Sequence, residues 1–218
     1  MSFIDTLPMK SLEQWSPKAF SIGGFAILIN VILLGIANYS SFSLPNWLST
    51  LLGLGGIWFL LIGLIGFYTL VSDATPQSAL AWIITGIVGW IALSVGLAWA
   101  IILDLMNQGT IAEGPSFGPQ LFISAIILSL VSFLAYGIAS SRSHQPSRTV
   151  GLFFLVPFGT FFILVLIFFA NSLDGYEAPG GAFLVLFGLA AVGLIGIGYS
   201  LQTGYTLFDS TEPTDTSL

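Results

Sequence analysis

Long runs of apolar residues without a charged side chain are the feature that most restricts how this chain folds. A bilayer hydrocarbon core about 30 Å thick is crossed by roughly 20 apolar residues in an α-helix. Six runs reach that length, namely 19–39, 47–71, 79–103, 119–140, 149–170 and 181–201. Because these runs are continuous and do not alternate apolar with polar residues, they predict helices and not barrel strands.

Composition supports the same class of protein. Only 6% of the 218 residues are charged, whereas a soluble domain carries roughly 25%. Too few charges remain to cover a water-facing surface or to bind a nucleic acid, and the apolar content excludes a disordered chain. We therefore predict an all-α membrane protein, a six-transmembrane-helix bundle whose surroundings are the lipid bilayer, with no nucleic-acid partner.

The basic residues predict the orientation of the bundle. Cytoplasmic connections of membrane proteins are enriched in Lys and Arg. With six spans and a cytoplasmic N-terminal tail (1–18), all basic side chains of the chain lie on the cytoplasmic side: Lys10, Lys18, Arg142 and Arg148. The acidic C-terminal tail (202–218) then lies on that side as well. We expect a multi-pass protein of the cell membrane with both termini in the cytoplasm.

The first apolar run has a second interpretation. Gly35-Ile36-Ala37 resembles the small-residue cleavage site of a secretory signal peptide. However, a long segment that includes Asp5 and Glu13 precedes the run, and the run is long for a signal peptide. We expect an uncleaved signal-anchor.

A tyrosine near the end of every second run hints at an internal repeat. Tyr68, Tyr136 and Tyr199 occupy similar places in the second, fourth and sixth runs. One interpretation is a two-helix hairpin copied three times, as parallel repeats occur in transporters. The other is that Tyr is favoured at both membrane interfaces, and this second interpretation is preferred.

Small residues predict where helices approach each other closely. Helices in lipid associate through small side chains that let their backbones meet. The third run carries such residues at steps of three or four, a helix-packing seam formed by Gly86, Gly89, Ala92, Gly96 and Ala100. The seam is expected to serve packing within the bundle, with a homo-oligomer contact as the alternative.

Asn30 is the one strongly polar side chain near the middle of a run. An unsatisfied amide in hydrocarbon costs several kcal/mol, so a hydrogen-bond partner is expected. An interhelical hydrogen bond is the preferred interpretation, and a ligand for an ion or substrate is the other.

Pro157 and Asp104 are the remaining candidates for a polar site. Pro157 lies inside the fifth run, where it removes a backbone hydrogen bond and predicts a kink. Broken helices bind substrate in some transporters, and the hydroxyl of Thr160 follows one turn later. Asp104 follows the third run directly and is expected at a solvated helix end.

The sequence excludes most membrane chemistry. Its single His lies between runs and it has no Cys, so no catalytic, cofactor-binding or metal site is predicted. No Asp, Glu or His lies in a run, which disfavours proton-coupled transport. We expect no enzyme but a non-enzymatic accessory, assembly or scaffolding component, with a membrane-protein partner or a second copy as the protein it contacts. The alternative is a small channel or facilitator that uses Asn30 and the Pro157 helix break.

Overall fold

The described part of the chain is entirely α-helical. A computed structural model describes residues 9–40, 46–71, 77–107, 117–142, 148–174 and 180–203. Its six helices are α1 (Met9–Tyr39), α2 (Asn46–Val71), α3 (Gln77–Asn107), α4 (Phe117–Arg142), α5 (Arg148–Asp174) and α6 (Gly180–Thr203). Each predicted apolar run lies within one of these helices, and the all-α prediction is confirmed.

Apolar length supports a membrane protein. Stretches in α1, α2, α5 and α6 are long and apolar enough to cross a bilayer, and the longest is Leu12–Tyr39. In α3 and α4 the apolar stretches within the described residues are shorter, Leu80–Ala92 and Leu130–Ser141. These assignments follow from length and composition alone.

The helices form a ring that follows their order along the chain. Neighbours in sequence pack against each other, and α6 returns to pack against α1. Five of the six contacts around this ring are extensive, whereas α2 and α3 approach each other least. Adjacent helices run antiparallel: Gly23 of α1 lies against Gly56 of α2, while Ser16 lies near Gly66 at the other end.

Helix α1 begins well before the first predicted span. It starts at Met9, whereas the apolar run starts at Ala19. The extra turns are part of the bundle because Ser16 is fully buried and its hydroxyl donates a hydrogen bond to the Gly63 carbonyl oxygen of α2 at 2.8 Å. On the outer side of the same segment, the Lys18 ammonium lies 5.4 Å from the centre of the Trp15 ring.

Aromatic rings fill the interior. The Phe67 and Phe154 rings have centroids 5.0 Å apart, and Tyr136 lies 5.3 Å from each of them. Phe20 packs edge-on against Phe154. Edge and stacked ring pairs of this kind each add about 0.5–1.5 kcal/mol beyond the burial of apolar area. The interior between the helices is therefore filled largely by aromatic and aliphatic side chains, with buried hydroxyl groups such as that of Ser132 among them.

Glycine makes the close helix contacts possible. A side-chain carbon on Gly23 would lie 2.9 Å from the Gly56 carbonyl oxygen, and one on Gly24 would lie 2.9 Å from the Ala191 carbonyl oxygen. Both distances are shorter than a methyl group tolerates. The two positions set the spacing of α1 from α2 on one side and from α6 on the other.

Replacing Gly66 by Ala should destabilise the bundle. The new methyl group would collide with the Leu12 carbonyl oxygen and the Ser16 side chain, and overpacking of this kind costs about 1–3 kcal/mol. We expect a lower thermal unfolding midpoint in detergent.

Gly55→Ala on the same helix is the matched control. A side-chain carbon there meets nothing within 4 Å, so it should leave the midpoint unchanged or raise it. Equal midpoints for the two variants would contradict close packing at Gly66.

Candidate functional site

Asn30 lies in the seam between α1 and α2. A side-chain carbon on Gly53 of α2 would lie 3.4 Å from Asn30 Nδ2, so the glycine provides the space that the amide occupies. Asn30 Oδ1 is buried and has no hydrogen-bond partner among the described residues. The side chain as a whole is half-buried. The structure thus places the amide at a helix contact without giving its oxygen the partner expected from the sequence.

Pro157 lies in a different seam, between α5 and α6. A side-chain carbon on Gly193 would lie 2.8 Å from Pro157 Cδ, so the proline ring fits against the bare backbone of that glycine. Helix α5 continues through Pro157 from Arg148 to Asp174. Proline removes the N–H that would bond to the Phe153 carbonyl, yet this position serves packing against α6.

Thr160 is buried and uses its hydroxyl within its own helix. The Oγ1 atom lies 3.0 Å from the Pro157 carbonyl oxygen and 3.1 Å from the Val156 carbonyl oxygen. Back-bonding of this kind is common for Ser and Thr inside helices. The Thr160 hydroxyl is therefore hydrogen-bonded to the turn of α5 that contains Pro157.

Asp104 and part of the predicted seam of α3 lie outside the described side chains. Asp104 is in the last turn of α3, but its side chain lies outside the described residues, as do Gly96 and Ala100. Gly86 lies directly against Ser132 of α4. Gly89 is buried, whereas Ala92 is exposed on the outer side.

The candidate residues do not converge on one site. Asn30 faces Gly53 on α2, and Pro157 faces Gly193 on α6. Among α3, α4, α5 and α6 the rings pack against each other: Phe161 contacts Phe133, Trp90 and Phe187. Within the described residues, no three His, Asp or Glu side chains lie together.

A groove of about 360 Å³ lies on α2. It is lined by Leu51, Leu54, Gly55, Trp58, Phe59 and Ile62, all of them apolar and all from this one helix. Trp58 is 55% exposed and Leu51 is 63% exposed. Asn30 does not line this groove. It lies at the contact between α1 and α2.

Tyr136 is the residue whose role sequence reasoning missed. It was expected at a membrane interface beside Tyr68 and Tyr199. It is fully buried among the helices, and its hydroxyl donates a hydrogen bond to the Leu64 carbonyl oxygen of α2 at 2.6 Å. Tyr199 by contrast is 56% exposed. The three tyrosines therefore do not occupy equivalent places.

A pattern on α4 could have indicated this burial. Ser132, Tyr136 and Ser140 follow each other at steps of four, and all three are fully buried. Polar side chains four residues apart share one helix face. In a helix surrounded by lipid, that face is expected to turn towards the other helices.

The sequence matches no protein-family model, and the searches of characterised proteins and of solved structures gave no match either.

Replacing Asn30 by Leu should stabilise the protein. The buried Oδ1 atom lacks a partner among the described residues, and an unsatisfied buried polar group costs about 1–3 kcal/mol. Leucine has a similar size and carries no such cost. We expect a thermal midpoint a few degrees higher in detergent, at roughly 2–4 °C per kcal/mol for a chain of this length.

Asn38→Leu is the control for Asn30→Leu. Asn38 is exposed near the end of the same helix, so its replacement should change the midpoint little. A clear fall in the midpoint for Asn30→Leu alone would mean that the amide makes a stabilising hydrogen bond.

Proposed function

We propose that this protein is a non-enzymatic component of the cell membrane that acts in assembly or scaffolding, through contact with another membrane protein or a second copy of itself. The observation that carries the proposal is the aromatic interior. Phe20, Phe67, Phe133, Tyr136 and Phe154 are all fully buried and pack against each other. A solute crossing the bundle needs a polar path, and these rings occupy the space where one would run.

The chemistry of the buried polar groups supports this proposal. The fully buried side chains that carry oxygen are hydroxyl groups, such as Ser16 and Tyr136, and each of these two bonds to a backbone carbonyl. Hydroxyl groups without a nearby base or metal are poor nucleophiles. Ser16 and Tyr136 form hydrogen bonds between helices, and Thr160 bonds within its own helix, both of which are structural uses.

A channel or facilitator is the weaker alternative. It would require Asn30 and Pro157 to line one path, but Asn30 lies at the contact of α1 with α2 and Pro157 at the contact of α5 with α6. Thr160, the hydroxyl nearest to the helix break, already bonds within α5.

The distribution of charge supports six spans with both termini in the cytoplasm. Lys10 and Lys18 lie in the first turns of α1, Arg142 ends α4 and Arg148 begins α5. In an antiparallel ring these positions share one end of the bundle. An excess of Lys and Arg marks the cytoplasmic end of a membrane protein.

Purification in mild detergent tests the proposed function. We expect a stoichiometric membrane protein, or a second, differently tagged copy of this chain, to co-purify after crosslinking in native membranes. The measurement is mass spectrometry of the crosslinked species, with an unrelated multi-pass protein of equal abundance as control. A strictly monomeric protein without a partner would contradict the scaffolding role.

Flux measurements in liposomes test the alternative. The reconstituted protein should transport neither ions nor small neutral solutes above the rate of empty liposomes. Transport that is lost in the Asn30→Leu variant and retained in Asn38→Leu would replace the scaffolding proposal by a facilitator.

Single cysteines test the orientation. The chain has no native Cys, and both Asn38 near the end of α1 and Gln202 near the end of α6 are exposed. In intact cells, a membrane-impermeant maleimide should label Asn38→Cys and should reach Gln202→Cys only after the membrane is opened. The reverse pattern, or labelling of both in intact cells, would overturn the proposed topology.

A further inference from the structure

The contact between α2 and α3 differs from the other contacts of the ring. It is the least extensive of the six. The glycines of α2 do not face α3: Gly56 and Gly63 meet Ile27 and Phe20 of α1, and Gly55 meets open space. Elsewhere in the ring, glycines bring backbones together, as Gly86 does against Ser132 and Gly198 does against Pro17. The α2–α3 contact lacks this backbone approach along α2.

A hydrogen bond between α4 and α2 reaches across the ring. Tyr136 of α4 donates to the Leu64 carbonyl oxygen of α2 at 2.6 Å. Two other interhelical hydrogen bonds remain inside a sequential helix pair: Ser16 with Gly63, and Trp90 with Ser132. The Tyr136 bond therefore joins the α1–α2 pair to the α3–α4 pair.

The Leu64 carbonyl and the Tyr136 hydroxyl depend unequally on this bond for a hydrogen-bond partner. The Leu64 carbonyl lies in mid-helix, where the N–H of Tyr68 is its regular partner. It therefore remains satisfied without Tyr136. The tyrosine hydroxyl is buried among aromatic rings, where an unpaired polar group is costly. The hydrogen bond thus stabilises the arrangement in which α2 lies against α4. It is not needed for the helical backbone of α2.

We propose that α2 and α3 separate laterally in the membrane, and that the hydrogen bond from Tyr136 of α4 to Leu64 of α2 acts as a latch that, together with the packing of Phe67 against Tyr136, holds α2 against the α3–α4 pair. The movement leaves the glycine contacts of α1 with α2 and α6 intact, because these do not involve α3. Opening exposes the rings of Phe67 and Tyr136 to the bilayer. This separation of α2 and α3 does not depend on the proposed scaffolding function. We expect it with or without a bound partner.

Spin labels on the cysteine-free chain test this proposal. One pair, Trp58→Cys with Val88→Cys, reports on α2 and α3; the other, Ile29→Cys with Val192→Cys, reports on α1 and α6. All four positions are more than 40% exposed, so the labels should not disturb the interior. In liposomes, double electron–electron resonance should give a broader distance distribution, with a long component, for the α2–α3 pair than for the α1–α6 pair.

The Tyr136→Phe variant tests the latch itself. It keeps the ring and removes the hydroxyl, and a net loss of one buried hydrogen bond should raise the ratio of long to short α2–α3 distances about fivefold. The α1–α6 distances should not change. Tyr199→Phe, at an exposed tyrosine, is the matched control and should alter neither pair.

Two results would overturn the proposal. One is an α2–α3 distribution as narrow as the α1–α6 distribution in the unaltered background, which needs no Tyr136 variant and so stands even if that variant does not fold. The other is a folded Tyr136→Phe protein in which the α2–α3 distances are unchanged, or in which both pairs broaden equally.

Discussion

Backbone contact at glycine is the interaction on which the rest of this bundle depends. Apolar helices gain nothing from burial when the surrounding solvent is itself apolar, so they associate through close packing. Helix α1 shows the consequence most clearly, because it meets α2 at Gly23 and α6 at Gly24. Through these two neighbouring glycines, α1 contacts both the next helix along the chain, α2, and the last helix, α6. Side chains at either position would separate α1 from one of its neighbours and open the ring.

The interior and the perimeter of the ring are held in different ways. Along the perimeter, bare backbones meet; in the interior, large rings from α1 to α5 pack against each other. Although the α2–α3 contact is weak, Phe67 of α2 and Trp90 of α3 belong to the same buried cluster. Tyr136 connects the two kinds of packing, since its ring belongs to the interior and its hydroxyl binds a backbone carbonyl of α2.

The sequence predicted the number and location of the helices well, because uncharged runs of membrane length leave few alternatives. It did not predict how the helices face each other, since helices that are apolar all round show little difference between faces. Asn30 was expected to pair with a neighbouring helix; its amide lies against Gly53 of α2, and its Oδ1 atom has no partner among the described residues. The first turns of α1 were assigned to a tail because Glu13 and Lys18 lie there, although Ser16 between them is fully buried.

The length of α1 connects the packing of the bundle to the thickness of the membrane. Its 31 residues extend about 46 Å at 1.5 Å per residue, whereas the hydrocarbon core is about 30 Å thick. A helix of this length that crosses the core extends beyond it, and Trp15 and Lys18 carry aromatic and basic side chains of the kind that favour headgroup depth, while Ser16 in the same turn is bonded to α2. We expect a bilayer of different thickness to change the preferred depth of the aromatic and basic pair. Because Ser16 in the same turn is hydrogen-bonded to α2, lipid chain length is then expected to affect the contact between α1 and α2.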